Sequence, residues 1–202
     1  MRSNKKKFLI ILISPSGGGK TALYRRVLND NENIKYSVSF TTRKPRVNEI
    51  DGVDYNFVSQ KKFLEMKNKG EFLESAMVHG YWYGTSKEYV SQILEKNNII
   101  MDIDVQGAKQ IIQTAVDQIT IFILPPSREI WLKRLKKRGS ESEESLSVRL
   151  DSAKKEIMQA RDFDYLVIND KLETAIKEIE DIISAEENKT KRYINIKQYI
   201  GG

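Results

Sequence analysis

A chain of 202 residues, 40% of them hydrophobic, is long enough to bury one substantial core, or a core with an inserted subdomain, and short for two independent ones. Its charge, 34 Lys and Arg against 28 Asp and Glu for +6 at neutral pH, favours anionic partners such as nucleotides, RNA or acidic peptides without choosing among them. The lack of cysteine excludes disulfides, thiol catalysis and Cys-based zinc sites, and a single histidine, His79, argues against histidine triads and multi-histidine metal sites.

In chain order, the basic start (Arg2, Lys5 to Lys7) precedes a short apolar run and a glycine turn, with no small-residue cleavage site, a poor secretory pattern that leaves a cytoplasmic address expected. Residues 8–13, Phe-Leu-Ile-Ile-Leu-Ile, form a predicted strand and the longest apolar run, far below the ~20 residues of a membrane span. Ser14, Pro15, Ser16, Gly17, Gly18, Gly19, Lys20 and Thr21 follow at once. The three glycines let the backbone curl until several N–H groups converge on one anion, at the positive end of a helix predicted over about 21–29 with Leu23, Val27 and Leu28 on its apolar side. Lys20 can then reach the outer phosphates of a nucleotide, and the Thr21 hydroxyl is placed for a magnesium ion. Most such loops begin with glycine where this chain has Ser14, another small residue that fits the turn. An ordinary flexible strand-to-helix turn is the plainer reading, and the attached Lys20-Thr21 and amphipathic helix argue against it.

Residues 35–90 break the pattern: short alternating pieces (Val38, Phe40; Tyr55, Phe57, Val58) and a turn at Asp51-Gly52 predict a small, partly antiparallel insert. A second apolar strand is predicted over 99–105, with a helix beginning near Gly107, and a third over 119–124, stopped by Pro125-Pro126. A helix over about 128–138 carries Ile130, Trp131 and Leu135 on one side; polar residues 139–149 suit a flap. A short buried strand is expected at 165–168, then an amphipathic helix with Leu172, Ile176, Ile179 and Ile183 in phase. Tyr193, Ile194, Ile196, Tyr199 and Ile200 of the charged tail could dock on the body. Strands alternating with helices imply a mainly parallel sheet.

The insert opens with Ser39-Phe40-Thr41-Thr42-Arg43-Lys44-Pro45-Arg46, two guanidinium groups with hydroxyls before them, a cluster suited to phosphate because each guanidinium fork pairs bidentately with phosphate oxygens. Tyr55 and the run Tyr81 to Thr85 add phenol and hydroxyl donors. Singly, each reads as well as solvated charge or sheet aromatics. Taken together with Asp51 to Phe57, Gly70 to Glu74, Tyr83 to Thr85, Asp102 to Gly107 and Val167 to Asp170, they stand in the order found in guanylate kinases, and over residues 8–184 the chain resembles that family.

The resemblance implies an α/β, P-loop nucleoside monophosphate kinase fold in one domain spanning 1–202. Its mainly parallel core sheet flanked by helices (about 5–34 and 96–185) would carry a small mixed α/β GMP-binding insert (about 35–90), a lid (about 138–150) and a tail (186–202). It implies that Ser39, Arg43, Arg46, Tyr55 and Tyr83 hold the phosphate of GMP, and that Glu74 and Thr85 read guanine, whose adjacent N1–H and N2–H donors a carboxylate accepts together. Asp102 would lie near GMP and share the magnesium shell with Thr21; Asp104 either joins the site or stiffens it. Lys20, Arg43, Arg134, Arg138 and Arg149 would be the catalytic cations, and Asn169 and Asp170, with residues 14–21, would bind ATP; Lys171 stands where the family often has a second acid. The implied reaction is reversible, Mg²⁺-dependent transfer of the ATP γ-phosphoryl group to GMP, with dGMP as a second acceptor, giving ADP and GDP in purine nucleotide metabolism. The implied partners are nucleotides, not nucleic acid or membrane, with the chain a monomer or homodimer. A GMP phosphate, mostly dianionic at pH 7, needs no general base, which fits the shortage of histidine. Two other readings compete. A guanylate-kinase-like module gripping phosphopeptides would lack the phosphate loop seen at Gly17 to Thr21, and a basic RNA-binding protein would carry its arginines along one face.

Overall fold

The computed structural model describes residues 5–15, 17–78, 80–136, 150 and 154–195. Strand β1 (Leu9–Ile13) is buried at every position, as a central strand covered on both faces must be. Among the described residues, the sheet around it runs β2 (Ile34–Tyr36), β7 (Asn98–Asp102), β1, β8 (Gln118–Leu124), β9 (Tyr165–Ile168), with every pair parallel. Alternate residues of β1 feed two cores. Ile10 and Leu12 pack with Leu23 and Val27 of α1 (Lys20–Asp30) and with Ile176, Ile179 and Ile183 of α6 (Leu172–Glu187). Leu9, Ile11 and Ile13 pack with Val90 of α3 (Lys87–Leu94) and with Val105, Ala108 and Ile111 of α4 (Val105–Ile112).

A second, mixed sheet is ordered β4 (Asn56–Phe57), β3 (Phe40–Thr41), β6 (Tyr81–Ser86), β5 (Phe72–Val78). Helix α2 (Gln60–Asn68), started by the Ser59 hydroxyl accepting from the Lys62 amide, buries Phe63 and Met66 against Phe72, Phe40 and Trp82 on this sheet. Gly84 lies so close under that aromatic cluster that a Cβ there would meet Phe63 Cζ at 3.0 Å.

Several expectations need correction. The apolar run at 99–105 splits, because the Asp104 carboxylate accepts from the Gly107 amide at 2.8 Å and caps α4, which therefore begins at Val105. Strand β9 is an edge strand: Val167 is buried, but Leu166 and Ile168 are exposed, since no described strand lies beyond it. Ile130 of α5 (Arg128–Lys136) is exposed, while Trp131 and Leu135 pack with Leu150 and Ile157. Lys35 and Tyr36, expected to open the insert, belong with Ile34 to the β2 edge of the core sheet. The flap at 139–149 and residues Ile196, Tyr199 and Ile200 lie outside the described residues.

Among the described residues, the tail docks through an ion network. Arg192 is wholly buried, donating to Asp117 at 2.5 Å, to the Glu186 carbonyl at 2.8 Å and to the Glu186 carboxylate at 3.2 Å, with its guanidinium 3.7 Å over the Phe8 ring. Two carboxylates thus compensate a buried cation. Tyr193 bridges to Lys5 beside it, and Ile194 is exposed. Among the described residues no helix is long and apolar enough to cross a membrane.

Candidate active site

In an open parallel α/β sheet the ligand crevice lies outside the carboxyl ends of the strands. The loop after β1 stands there and runs into α1, whose N-terminus is closed by neither a side-chain cap nor an acid in its first turn, leaving its amides for an anion. Gly19, the residue before the helix, has φ 92°, and a Cβ on it would fall 2.4 Å from Asn169 Nδ2, so both conformation and space demand glycine. Ser14, at the position usually held by glycine, tucks its hydroxyl onto the Pro15 carbonyl at 3.0 Å; in turn Gly18 has no room for a side chain, since a Cβ there would lie 2.6 Å from Ser14 Oγ. Thr21 sits in the first turn of α1. Ser16 lies outside the described residues.

Asn169, expected beside ATP, braces this loop: its side-chain amide donates to the Gly18 carbonyl at 2.9 Å, and its backbone carbonyl accepts from Arg134 Nη2 at 3.1 Å. Asp170 is exposed. The other end of the Arg134 guanidinium, Nη1, is buried without a partner among the described residues, 3.7 Å from the point where a Cβ on Gly19 would sit. A buried donor left unpaired costs about 1–3 kcal/mol, and an anion in the loop would satisfy it. Arg138 and Arg149 lie outside the described residues.

On the mixed sheet, β5 and β6 set Glu74 opposite Thr85. The Thr85 hydroxyl donates to Glu74 Oε1 at 2.7 Å, and Ser39 Oγ lies 3.4 Å from Thr85 Oγ1, all three residues being buried. Burial pushes the Glu74 carboxyl up to about 7, with Thr85 opposing and Asp104 adding to the rise. β3 leads into Arg43, whose Nε donates to the Tyr83 hydroxyl at 3.2 Å and whose guanidinium carbon lies 5.3 Å from the Tyr55 ring centroid. Arg46 is largely exposed, its Nη1 4.0 Å from Glu49 Oε1.

The two groups meet at the β7–α4 turn. Lys20 Nζ donates to the Ile103 carbonyl at 3.2 Å, and the Tyr36 hydroxyl donates to Asp102 Oδ1 at 2.5 Å. On the far side of the turn, Gly107 packs under Glu74, so that a Cβ on it would lie 2.7 Å from Glu74 Oε2. Asp104 is the helix cap, which answers whether it stiffens the turn. Register pairs Leu12 of β1 with Asp102, so Asp102 ends the strand beside the one that feeds the loop and Thr21. One hydroxyl and one carboxylate form a donor set that suits magnesium, which draws most of its shell from water and substrate phosphates. Among the described residues no group of three or more acids, histidines or cysteines could cage a metal.

Sequence reasoning passed over Glu49, Tyr36 and Gly107. Glu49 accepts from both Nη atoms of Arg43, at 2.8 and 2.9 Å, and these bonds hold its carboxyl below the usual range. Tyr36 stacks on Tyr24 with ring centroids 4.6 Å apart, and burial raises its phenol's pKa with Asp102 adding. The only local signal for Glu49 was an acid six residues from one arginine and three from the other.

A family model described as guanylate kinase matches residues 6–186. A guanylate kinase of Clostridioides difficile (strain 630) is 46% identical over 193 residues, covering 95% of this chain and 94% of that protein. A guanylate kinase of Methylobacillus flagellatus is 48% identical over 179 residues, 88% of this chain and 89% of the relative. Among solved structures, a guanylate kinase from Anaplasma phagocytophilum superposes with a TM-score of 0.78 at 31% identity, covering 97% of this chain and 94% of that one.

Proposed function

Because the chain belongs to the guanylate kinase family and is an ATP:GMP phosphotransferase, we propose that its phosphate loop with Lys20 and Arg134 takes ATP, while the Ser39, Arg43, Tyr83, Thr85 and Glu74 cluster takes GMP. The observation that carries this division is the convergence of both clusters on one turn: Lys20 reaches Ile103, and Glu74 rests against Gly107 just beyond it.

In the proposed reaction a phosphate oxygen of GMP attacks the γ-phosphorus of ATP as the bond from that phosphorus to the bridging oxygen breaks, and ADP leaves with the electron pair. GMP arrives mostly dianionic at pH 7, so no side chain need remove a proton. The barrier lies in bringing two polyanions together, and the chain meets it with cations and amide dipoles. The amides of the loop and α1, Lys20 and Arg134 Nη1 face the donor phosphates; Arg43, Arg46, Tyr55 and Tyr83 hold the acceptor phosphate. Arg138 and Arg149 are assigned to the donor side from the resemblance. A magnesium ion held by Thr21 and Asp102 would supply charge neutralisation on the phosphates. Glu74, as carboxylate, accepts from guanine N1–H and N2–H, and Thr85 fixes its orientation. The proposal includes a cytoplasmic address.

GDP formation measured by chromatography over a panel of nucleoside monophosphates tests the acceptor assignment. GMP is expected to be converted far faster than AMP, CMP or UMP. Conversion of AMP with GMP left untouched would overturn the guanine reading.

A further inference from the structure

We propose that Glu49 is a positioning residue for the acceptor: its carboxylate locks the Arg43 guanidinium so that the edge formed by Nε and Nη2 is turned to the phosphate of GMP. The inference rests on the reading of Arg43 as a phosphate ligand. A guanidinium offers five N–H groups in a rigid fork. In Arg43 the end-on edge is taken by Glu49, with Nη1 donating to Oε2 at 2.8 Å and Nη2 to Oε1 at 2.9 Å, and the second Nη1 hydrogen goes to the Lys44 carbonyl at 2.7 Å. What remains is the side-on edge: Nε–H, which rests on the Tyr83 hydroxyl at 3.2 Å, and the second hydrogen of Nη2. A phosphate arriving there receives a parallel pair of N–H bonds on two of its oxygens once the Tyr83 hydroxyl gives up the Nε–H and turns to donate to the phosphate as well.

Glu49 is itself held. Its Oε2 also accepts from the Arg46 amide at 2.8 Å, and the Glu49 amide donates to the Arg46 carbonyl at 3.1 Å, so the carboxylate closes a turn spanning 46–49. The Arg43 and Glu49 side chains are only 12% and 16% exposed. The Tyr55 and Phe57 rings stand 5.3 and 5.8 Å from the guanidinium carbon. A long side chain with many rotamers is thereby set in one orientation before the ligand comes, and the acceptor does not bear the ordering cost. With Arg43 and Arg46 against one Glu49, the turn stays net positive toward a dianion.

Titration calorimetry with GMP and with guanosine, on wild type, E49Q, E49D, R43A and the R43A/E49Q double variant, tests this. E49Q is expected to weaken GMP about tenfold or more by removing one acceptor and aiming an NH₂ at the guanidinium. Guanosine affinity and the KM for ATP should stay within about twofold, because neither depends on this phosphate contact. E49D should recover part of the loss, and in the R43A background E49Q should cost nothing further, since Glu49 acts through Arg43. Unchanged or tighter GMP binding by E49Q, with R43A still weakening it, would overturn the positioning role alone. R43A that binds GMP like wild type would overturn the phosphate assignment underneath it.

Discussion

If Glu74 reads guanine as a carboxylate, lowering the pH must empty the acceptor site before it unfolds the protein. Burial raises the Glu74 carboxyl to about 7 in the free enzyme. The ionised fraction is then about nine-tenths at pH 8, half at pH 7 and one-tenth at pH 6. Apparent affinity scales with the competent fraction, so the KM for GMP should rise about tenfold from pH 8 to pH 6. The GMP phosphate, with its own pKa near 6, adds about a twofold effect at the low end. Glu74→Gln isolates that smaller effect, because its KM, though higher throughout, should change only about twofold over the same range. The same group sets a stability difference. Its folded pKa lies above the usual 4.5, so the folded state binds the extra proton between pH 4.5 and about 7, and wild-type stability falls as pH rises through that window. Relative to wild type, E74Q should therefore gain nothing below pH 4.5 and up to the order of 3 kcal/mol above pH 7. Initial rates of GDP formation at saturating ATP, paired with urea unfolding of both proteins across pH 4.5–8.5, check the two halves. A wild-type KM that is flat between pH 8 and 6, or an E74Q profile as steep as wild type, would refute the reasoning.

Gly107→Ala would place a Cβ 2.7 Å from Glu74 Oε2 and 3.2 Å from its Cδ. About 1–3 kcal/mol of overpacking should appear as a KM for GMP raised roughly tenfold or more with the KM for ATP unmoved, read from steady-state kinetics. Lys20→Ala should lower kcat on the order of 100-fold or more while thermal unfolding barely shifts, since among the described residues its ammonium makes one hydrogen bond, to the Ile103 carbonyl. Arg192→Ala takes the buried cation from Asp117 and the buried Glu186 and leaves them to the half-exposed Lys191 at 3.5 Å and Lys189 at 2.5 Å, so urea denaturation should show a loss of about 1.5–3 kcal/mol, with kcat intact wherever the variant is folded.

How much of this was legible in the chain depended on whether the governing contacts were local. The phosphate loop is a contiguous word: an apolar strand, glycines for a turn with positive φ, then Lys20 and Thr21, each residue acting on its neighbours. The parallel sheet was equally legible, because strands buried on both faces read as near-continuous apolar runs, as Leu9 to Ile13 does and as Ile119 to Ile123 does but for Thr120. The end of the second run was misjudged although its signal was local, for hydrophobic periodicity carries on through Val105 whereas Asp104 and Gly107, three residues apart, form the cap that stops it. Apolar content also misled at β9, since Leu166 and Ile168 are no different in sequence from buried strand residues and only the position at the sheet edge exposes them.

What composition and order determined by themselves was the kind of molecule: a parallel α/β core carrying an anion-binding loop, with a basic hydroxyl-rich insert, because each follows from interactions spanning a few residues. Tertiary structure alone decided which groups face one another. Glu49 became the holder of Arg43, Asn169 the brace of Gly18, Arg134 a half-buried cation whose buried Nη1 has no partner among the described residues, and Glu74 a carboxyl of raised pKa, because those outcomes depend on which distant side chains share a desolvated space, and a linear order of residues does not contain that distance.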